Sequence, residues 1–308
     1  MRAAGRGRTG GAWRPIYSLL GLALGLATAA APLGAQAGDT TRTPECASCA
    51  EWNAPQRPFR IHGNSWYVGT HGLSAVLITS PRGHVLIDGG LPESAARIEA
   101  NVRALGFRMR DVKLILNSHA HFDHAGGIAA LARMSGAAVA ASGPSAAVLA
   151  RGASGADDPQ YGLAAPFPPV RVARVVADGD TVRVGPIALV AHLTPGHTPG
   201  STTWSWRSCE SRHCLEMVYA DSQTPVSADG FRFTASAAWP TALADFERGI
   251  GVIEGLRCDL LLTPHPDASG WWERVAAHRL ADTGACRRYA AAARRQLARR
   301  VAGERAGR

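Results

Sequence analysis

One stretch constrains this chain more than any other: Asn117-Ser118-His119-Ala120-His121-Phe122-Asp123-His124-Ala125-Gly126-Gly127. A run at 112–116 that is apolar but for Lys113 precedes it and helical spacing follows, so it reads as the loop from a buried strand into a helix. Three imidazoles and a carboxylate fall within six residues. Packing does not explain them, because each such group would need its own buried polar partner. Neutral nitrogen and anionic oxygen are donors that zinc prefers. In an extended segment His119 and His121 point to one side, and the Asp123-His124 pair does not share that direction. The spacing therefore predicts two metals, one at each pair.

Two metals need ligands from elsewhere. His197 stands in Thr194-Pro195-Gly196-His197-Thr198-Pro199-Gly200, a rigid Pro/Gly turn that presents one side chain. His265 stands in Thr263-Pro264-His265-Pro266, directly after an apolar strand. Both are loop residues at strand ends, where sites in α/β folds concentrate. His119, His121 and His197 then give three ligands for one metal, and Asp123, His124 and His265 three for the other. Three protein ligands with one position left for solvent is the catalytic pattern. The six other histidines (His62, His71, His84, His192, His213 and His278) have no such setting and read as structural or solvated.

The rest of the chain alternates strands and helices. Residues 65–70 and 74–79 read as a strand pair turning at His71-Gly72, and 85–87 as a short strand ending at Asp88. Helices are expected at 94–105 and 127–134, with strands at 112–116 and 138–141. Residues 151–169 are rich in Gly, Asp and Pro and read as a long, functional loop. Short strands follow at 171–176, 181–184, 187–192, 201–206 and 217–220. Helices at 241–256 and 286–301 enclose a strand at 259–262. The order predicts an α/β fold of two strand sets, each covered by helices, in four layers.

The N-terminus reads as an export signal. Arg2 to Arg14 form a basic segment, 16–31 an apolar run, and Ala35-Gln36-Ala37 a small-x-small cleavage pattern. The run is short for a membrane span. The expected organisation is a signal peptide at 1–37 and a single domain at 38–308, soluble and outside the cytoplasm. Without Arg2, Arg6, Arg8 and Arg14 the net charge falls from +9 to +5, which argues against nucleic acid as the main partner. Six arginines on the last helix (Arg287, Arg288, Arg294, Arg295, Arg299 and Arg300) read better as a solvated basic face than as a site for an acidic surface.

Six cysteines in an exported chain suggest disulfides. Sequence alone does not fix the pairing: Cys209 and Cys214 flank a polar stretch between two strand-like runs and suit a local bridge, and Cys258 and Cys286 would then tie the last strand to the last helix. Cys46 and Cys49 have the C-x-x-C spacing of a metal or redox motif. The second half of a zinc site is missing, which favours a local bridge or an external pairing.

His119-x-His121-x-Asp123-His124, with Gly196-His197 and the late His265, resembles the metallo-β-lactamase fold superfamily from about residue 66 to 265. Several details are similar to subclass B3: the all-histidine first site, the Asp-His-His second site, the run from Pro195 to Ser201 followed by Trp204, and Tyr219-Ala220-Asp221-Ser222. The resemblance implies a four-layer αββα sandwich, two zinc ions at one edge, and periplasmic hydrolysis of the β-lactam amide bond of penicillins, cephalosporins and carbapenems. It implies that zinc activates the attacking water, that Asp123 orients it, and that Asp88 and Asp221 stand behind the ligands. Ser222 and Thr224 match positions that anchor the substrate's carboxylate. The long loop brings Gln160, Tyr161 and Phe167 into reach as pocket walls, with plain loop packing as the alternative. Some relatives pair an N-terminal Cys with a hairpin Cys. That hairpin position is His71 here, so Cys46 turns to Cys49. The expected partner is a small-molecule β-lactam bound by a monomer, with no stable membrane insertion.

Two rival readings remain at this point. A lactonase or thioester hydrolase of the same fold would place Asp221 as a bridge between both metals. A non-enzymatic metal-binding protein would rest only on the arginine helix.

Overall fold

Alternate residues of two sheets are apolar on both faces, and that pattern sets the layering. The computed structural model describes residues 11–12 and 46–307. The cleavage pattern at Ala35-Gln36-Ala37, and all of the expected signal but 11–12, lie outside the described residues.

The first sheet runs β1 (Phe59–His62), β2 (Ser65–Tyr67), β3 (Val76–Ile78), β4 (His84–Ile87), β5 (Val112–Leu116), β6 (Ala138–Ser142), β7 (Arg174–Val176) in spatial order. Pairing is antiparallel from β1 to β4 and parallel from β4 to β7. The second sheet contains β8 (Thr181–Val184), β9 (Ile187–Leu193), β10 (Thr202–Glu210), β11 (His213–Tyr219) and β12 (Leu260–Leu262), ordered β12-β11-β10-β9-β8. Val76, Ile78, Val85, Ile87, Leu114 and Leu116 face one shared core with Leu189, Trp204, Trp206, Met217, Tyr219 and Leu260. Trp204 is fully buried there and donates its indole N–H to the Asn117 carbonyl at 3.1 Å. Truncating such a ring to Ala costs ~3–5 kcal/mol.

The alternate residues Leu77, Leu86, Ile115 and Val139 face outward instead. They are covered by α2 (Ser94–Ala104), α4 (Ile128–Ser135) and α5 (Gly143–Arg151). On the far side, Val218 and Leu261 meet α6 (Ala242–Gly255) and α8 (Ala285–Arg305). The short helices α1 (Cys49–Trp52), α3 (Phe122–Ala125) and α7 (Trp271–Ala276) complete the set. The four-layer α/β expectation is met. Among the described residues, no helix is long and apolar enough to cross a membrane.

Three disulfides are present. Cys209–Cys214 joins directly paired residues of β10 and β11, Cys258–Cys286 ties the approach to β12 to the start of α8, and Cys46–Cys49 opens α1.

Several elements differ from the expected bounds. The strands expected at 65–70 and 74–79 shorten to β2 and β3; the Val68 N–H to Ala75 carbonyl and Thr70 N–H to Leu73 carbonyl bonds (both 2.9 Å) continue the pairing into the turn, and the Ser74 N–H bonds the Pro264 carbonyl at 2.8 Å. The helix α5 was not expected; Pro144 in its first turn and left-handed Gly152 at its end are its local signals. Phe167 is packed into the core under α5 rather than lining a pocket. The loop reading holds for the segment after α5, which has no helix or strand until β7.

Candidate metal centre

The clustered side chains all leave strand ends on one edge of the sandwich. β5 leads into His119, His121 and α3; the β9–β10 turn carries His197; β11 leads into Asp221 to Thr224; β12 leads into His265. Asp88, at the end of β4, sets the start of this loop. Its φ of 60° is unusual for a residue with a side chain. Its carboxylate accepts the Ser118 N–H (2.8 Å), the Ser118 hydroxyl (2.6 Å) and the Tyr219 hydroxyl (2.9 Å). Burial pushes Asp88 up to about 7, against those bonds. Gly127 is required just beyond α3: a Cβ there would meet the Gly89 carbonyl oxygen at 2.2 Å, so this close approach needs glycine.

His121 is extended, and Asp123 and His124 lie on the following helical turn. The backbone thus divides the motif into two donor groups. Ligand atoms of His119, His121 and His197 lie within 4.8 Å of one another, and so do those of His119, Asp123 and His124. His265 joins the second group. Asp123 Oδ2 lies 3.2 Å from His124 Nε2 and 3.2 Å from His265 Nε2, and the two Nε2 atoms are 3.2 Å apart. Ligands at zinc distances of about 2.0–2.1 Å in a tetrahedron stand roughly 3.3 Å from each other, so this triangle fits one ion. The two groups abut, with the His119 and His124 rings 4.5 Å apart.

Partners behind the rings decide which nitrogen faces the centre. Asp221 Oδ1 lies 2.7 Å from His119 Nδ1, and the Thr224 carbonyl lies 2.9 Å from His197 Nδ1. A carboxylate or a carbonyl only accepts, so both rings carry a proton on Nδ1 and turn Nε2 inward. Asp158 Oδ2 lies 2.9 Å from His121 Nε2, so His121 turns Nδ1 inward instead. Asp158 is itself held by the Gln160 N–H (2.8 Å) and the Ser154 hydroxyl (3.0 Å).

On His119, His197 and His124 the electrostatics favour bare nitrogen lone pairs. Burial, then the neighbouring His124 and His121, hold His119 well below the ordinary histidine range. Burial, with His119 and His121, brings His197 down to about 3. Burial lowers His124 as well. Burial works against the charge on Asp123, but His124 and His265 outweigh it and hold the carboxyl well below its usual range. For His121 burial is likewise outweighed, here by Asp158, and its pKa is raised. Burial raises Asp221.

Of the expected substrate contacts, Gln160 reaches the centre, with Nε2 3.2 Å from His197 Nε2. Tyr161 is exposed on the same loop, and Ser222 is buried at the end of β11. The Thr224 hydroxyl is 3.1 Å from His197 Nδ1, so Thr224 supports a ring as well as flanking the site. Asp221 stands behind His119, touching the nitrogen that faces away from the donor cluster. Sequence reasoning missed Asp158, one acid in a loop without periodicity, and Trp52, whose ring lies 5.0 Å from that of His265. Neither has a local signal, since each acts through a contact made only in the folded chain.

Known proteins bear on this geometry. The metallo-beta-lactamase superfamily profile matches residues 68–210. The solved structure of Rm3 metallo-beta-lactamase is 54% identical, with a TM-score of 0.83 over 85% of this chain and 100% of that one. MEM-A1, a subclass B3 metallo-beta-lactamase from a soil metagenome library, is 49% identical, with a TM-score of 0.82 over 83% of this chain and 100% of that one. A hydroxyacylglutathione hydrolase of Anaeromyxobacter dehalogenans (strain 2CP-C) is 36% identical over 121 residues, 39% of this chain and 37% of that relative.

Proposed function

The chain belongs to the metallo-β-lactamases, subclass B3, and we propose that it is an exported, monomeric enzyme that opens the β-lactam ring of antibiotics with two zinc ions. His119, His121 and His197 would hold one ion, and Asp123, His124 and His265 the other. Zinc at such positions supplies an acidified water as nucleophile and a Lewis acid for the lactam carbonyl.

The chain's own residues do the rest. Asp123, charged and buried at the junction of the two groups, orients the attacking water. Asp221, Asp158 and the Thr224 carbonyl keep the first three rings in the tautomers that leave a lone pair inward. Ser222 and Thr224 would supply the hydroxyls that anchor the substrate's carboxylate, the Thr224 hydroxyl turning from His197 Nδ1 to do so, and Gln160 and Tyr161 come from the loop after α5. A signal peptide ending near Ala37 and a periplasmic location accord with three disulfides.

The observation that carries this reading over a lactonase or thioester hydrolase is the position of Asp221. Its Oδ1 faces His119 Nδ1 at 2.7 Å, which leaves it behind a ligand rather than bridging two ions. The test is turnover of a penicillin, a cephalosporin, a carbapenem, a thioester and a lactone. β-Lactam hydrolysis abolished by a chelator and restored by zinc is expected. Negligible β-lactam turnover beside rapid thioester or lactone hydrolysis would overturn the reading.

A further inference from the structure

The arginine-rich last helix has a role that its composition conceals. Its apolar stripe of Cys286, Tyr289, Ala290, Ala293 and Leu297 is buried, while Arg287, Arg288, Arg294, Arg295 and Arg299 are exposed. Arg288 pairs with Asp282 and Arg294 with Glu254. Arg300 departs from this pattern: it is partly buried and points at the segment that follows β11.

That segment is residues 221–234, which begins with Asp221, Ser222 and Thr224. The helix grips it at two places. Near its start, the Tyr289 hydroxyl donates to the Asp221 carbonyl (3.0 Å) and accepts the Gln223 N–H (3.1 Å). Both atoms of that hydroxyl are therefore used within the turn that carries Ser222. About four helical turns later, the buried Glu304 carboxylate accepts the Phe233 N–H (3.0 Å), the Thr234 N–H (3.0 Å) and the Thr234 hydroxyl (2.8 Å). Arg300 bridges Glu304 Oε1 at 2.7 Å to the Ser227 hydroxyl and the Phe231 carbonyl, both at 2.7 Å. Between these grips, the Ala228 N–H bonds the Pro159 carbonyl at 2.7 Å, next to Asp158 and Gln160. Backbone donors that would otherwise be orphaned in a loop are thus met by one rigid helix.

We propose that α8 is a splint that sets the position of segment 221–234, with Tyr289 and Glu304 as positioning residues for the substrate-carboxylate contacts of Ser222 and Thr224. Neither residue touches substrate. The role rests on the β-lactamase reading for its substrate, but the splint itself does not.

The experiment compares Tyr289→Phe, Glu304→Gln and Glu304→Asp with an exposed control, Arg295→Ala. Each is assayed on a carboxylate-bearing β-lactam and on its methyl ester, with bound zinc measured alongside. Loss of one net hydrogen bond corresponds to a rise in KM of roughly 3- to 10-fold. That rise is expected for the free acid in Tyr289→Phe and Glu304→Gln assayed at saturating zinc, with kcat and the ester's KM nearly unchanged. Glu304→Asp, which keeps the charge, should recover part of it, and the control should match wild type. A KM that shifts equally for acid and ester, or for neither, overturns the proposal. Backbone amide exchange over 221–234 reads the splint without substrate. It should quicken in both Tyr289→Phe and Glu304→Gln, and unchanged exchange would refute the splint. A wild type inactive on β-lactams would sink the function reading while leaving the exchange result to decide the splint.

Discussion

Asp158→Asn is the most incisive perturbation of the metal centre, because it changes one atom and reverses one proton. Asp158 Oδ1 accepts the Gln160 backbone N–H at 2.8 Å and lies 3.2 Å from His121 Nε2, while Oδ2 makes the shorter contact, 2.9 Å from His121 Nε2, and sits 3.0 Å from the Ser154 hydroxyl. A backbone donor cannot reverse its role, so an asparagine would keep its carbonyl oxygen on Gln160 and turn its amide toward His121 and Ser154. The serine hydroxyl can rotate to accept. The imidazole can accept only by giving up the proton on Nε2 and carrying it on Nδ1, the nitrogen that faces the donor cluster. The variant therefore offers a protonated nitrogen where a ligand is needed. Loss of a partner behind a metal-bound histidine typically costs 10–100-fold in affinity, or about 1.4–2.7 kcal/mol. Asp158→Ala imposes no wrong tautomer, because water can take either role, so it should weaken binding less than Asn does. Competition for zinc with a chromophoric chelator near neutral pH measures both. If Asn binds as tightly as wild type, or Ala binds more weakly than Asn, the tautomer argument fails.

Three further outcomes are expected. Asp123→Ala removes the carboxylate from the 3.2 Å triangle with His124 and His265, so bound zinc should fall from two toward one per chain by elemental analysis; retention of both ions would show that the ligands are divided differently. Thr224→Ala should raise KM for anionic β-lactams about tenfold or more, through a lost bond to a charged group. It should retain zinc, because the backbone carbonyl that holds His197 at 2.9 Å survives, and zinc loss would assign the hydroxyl to the ring instead. Acid should loosen the end of α8: burial raises the pKa of Glu304, but Arg300, Phe233 and Thr234 outweigh it and set it below the ordinary 4.5. A lowered folded value gives stability that is present above the unfolded pKa and lost as pH falls through the folded one. Thermal melts taken downward from about pH 6 should show that loss in wild type and less of it in Glu304→Gln, and parallel curves would remove Glu304 from the account.

What the sequence carried, and what it withheld, follows from how far each interaction reaches along the chain. The ligand groups were legible because local geometry creates them: an extended His-x-His and a helical turn bearing Asp123-His124 divide directions within a few residues. His197 and His265 were legible because Pro and Gly fix the turns that present them, and β5 because four of its five residues are apolar and buried, with only Lys113 exposed. The partners behind the rings leave no such trace. Asp158 lies 37 residues from His121, and Tyr289 lies 68 from Asp221; each is one polar residue whose partner only the folded chain supplies. Arg300 shows the same limit from the other side. It shares a helix and a composition with six exposed arginines, and only its bonds to Glu304, Ser227 and the Phe231 carbonyl, made in the folded chain, set it apart. Donors that touch an ion must cluster, so they announce themselves. Groups that orient those donors need only one correct contact each, and a fold can recruit that contact from any loop that passes within reach.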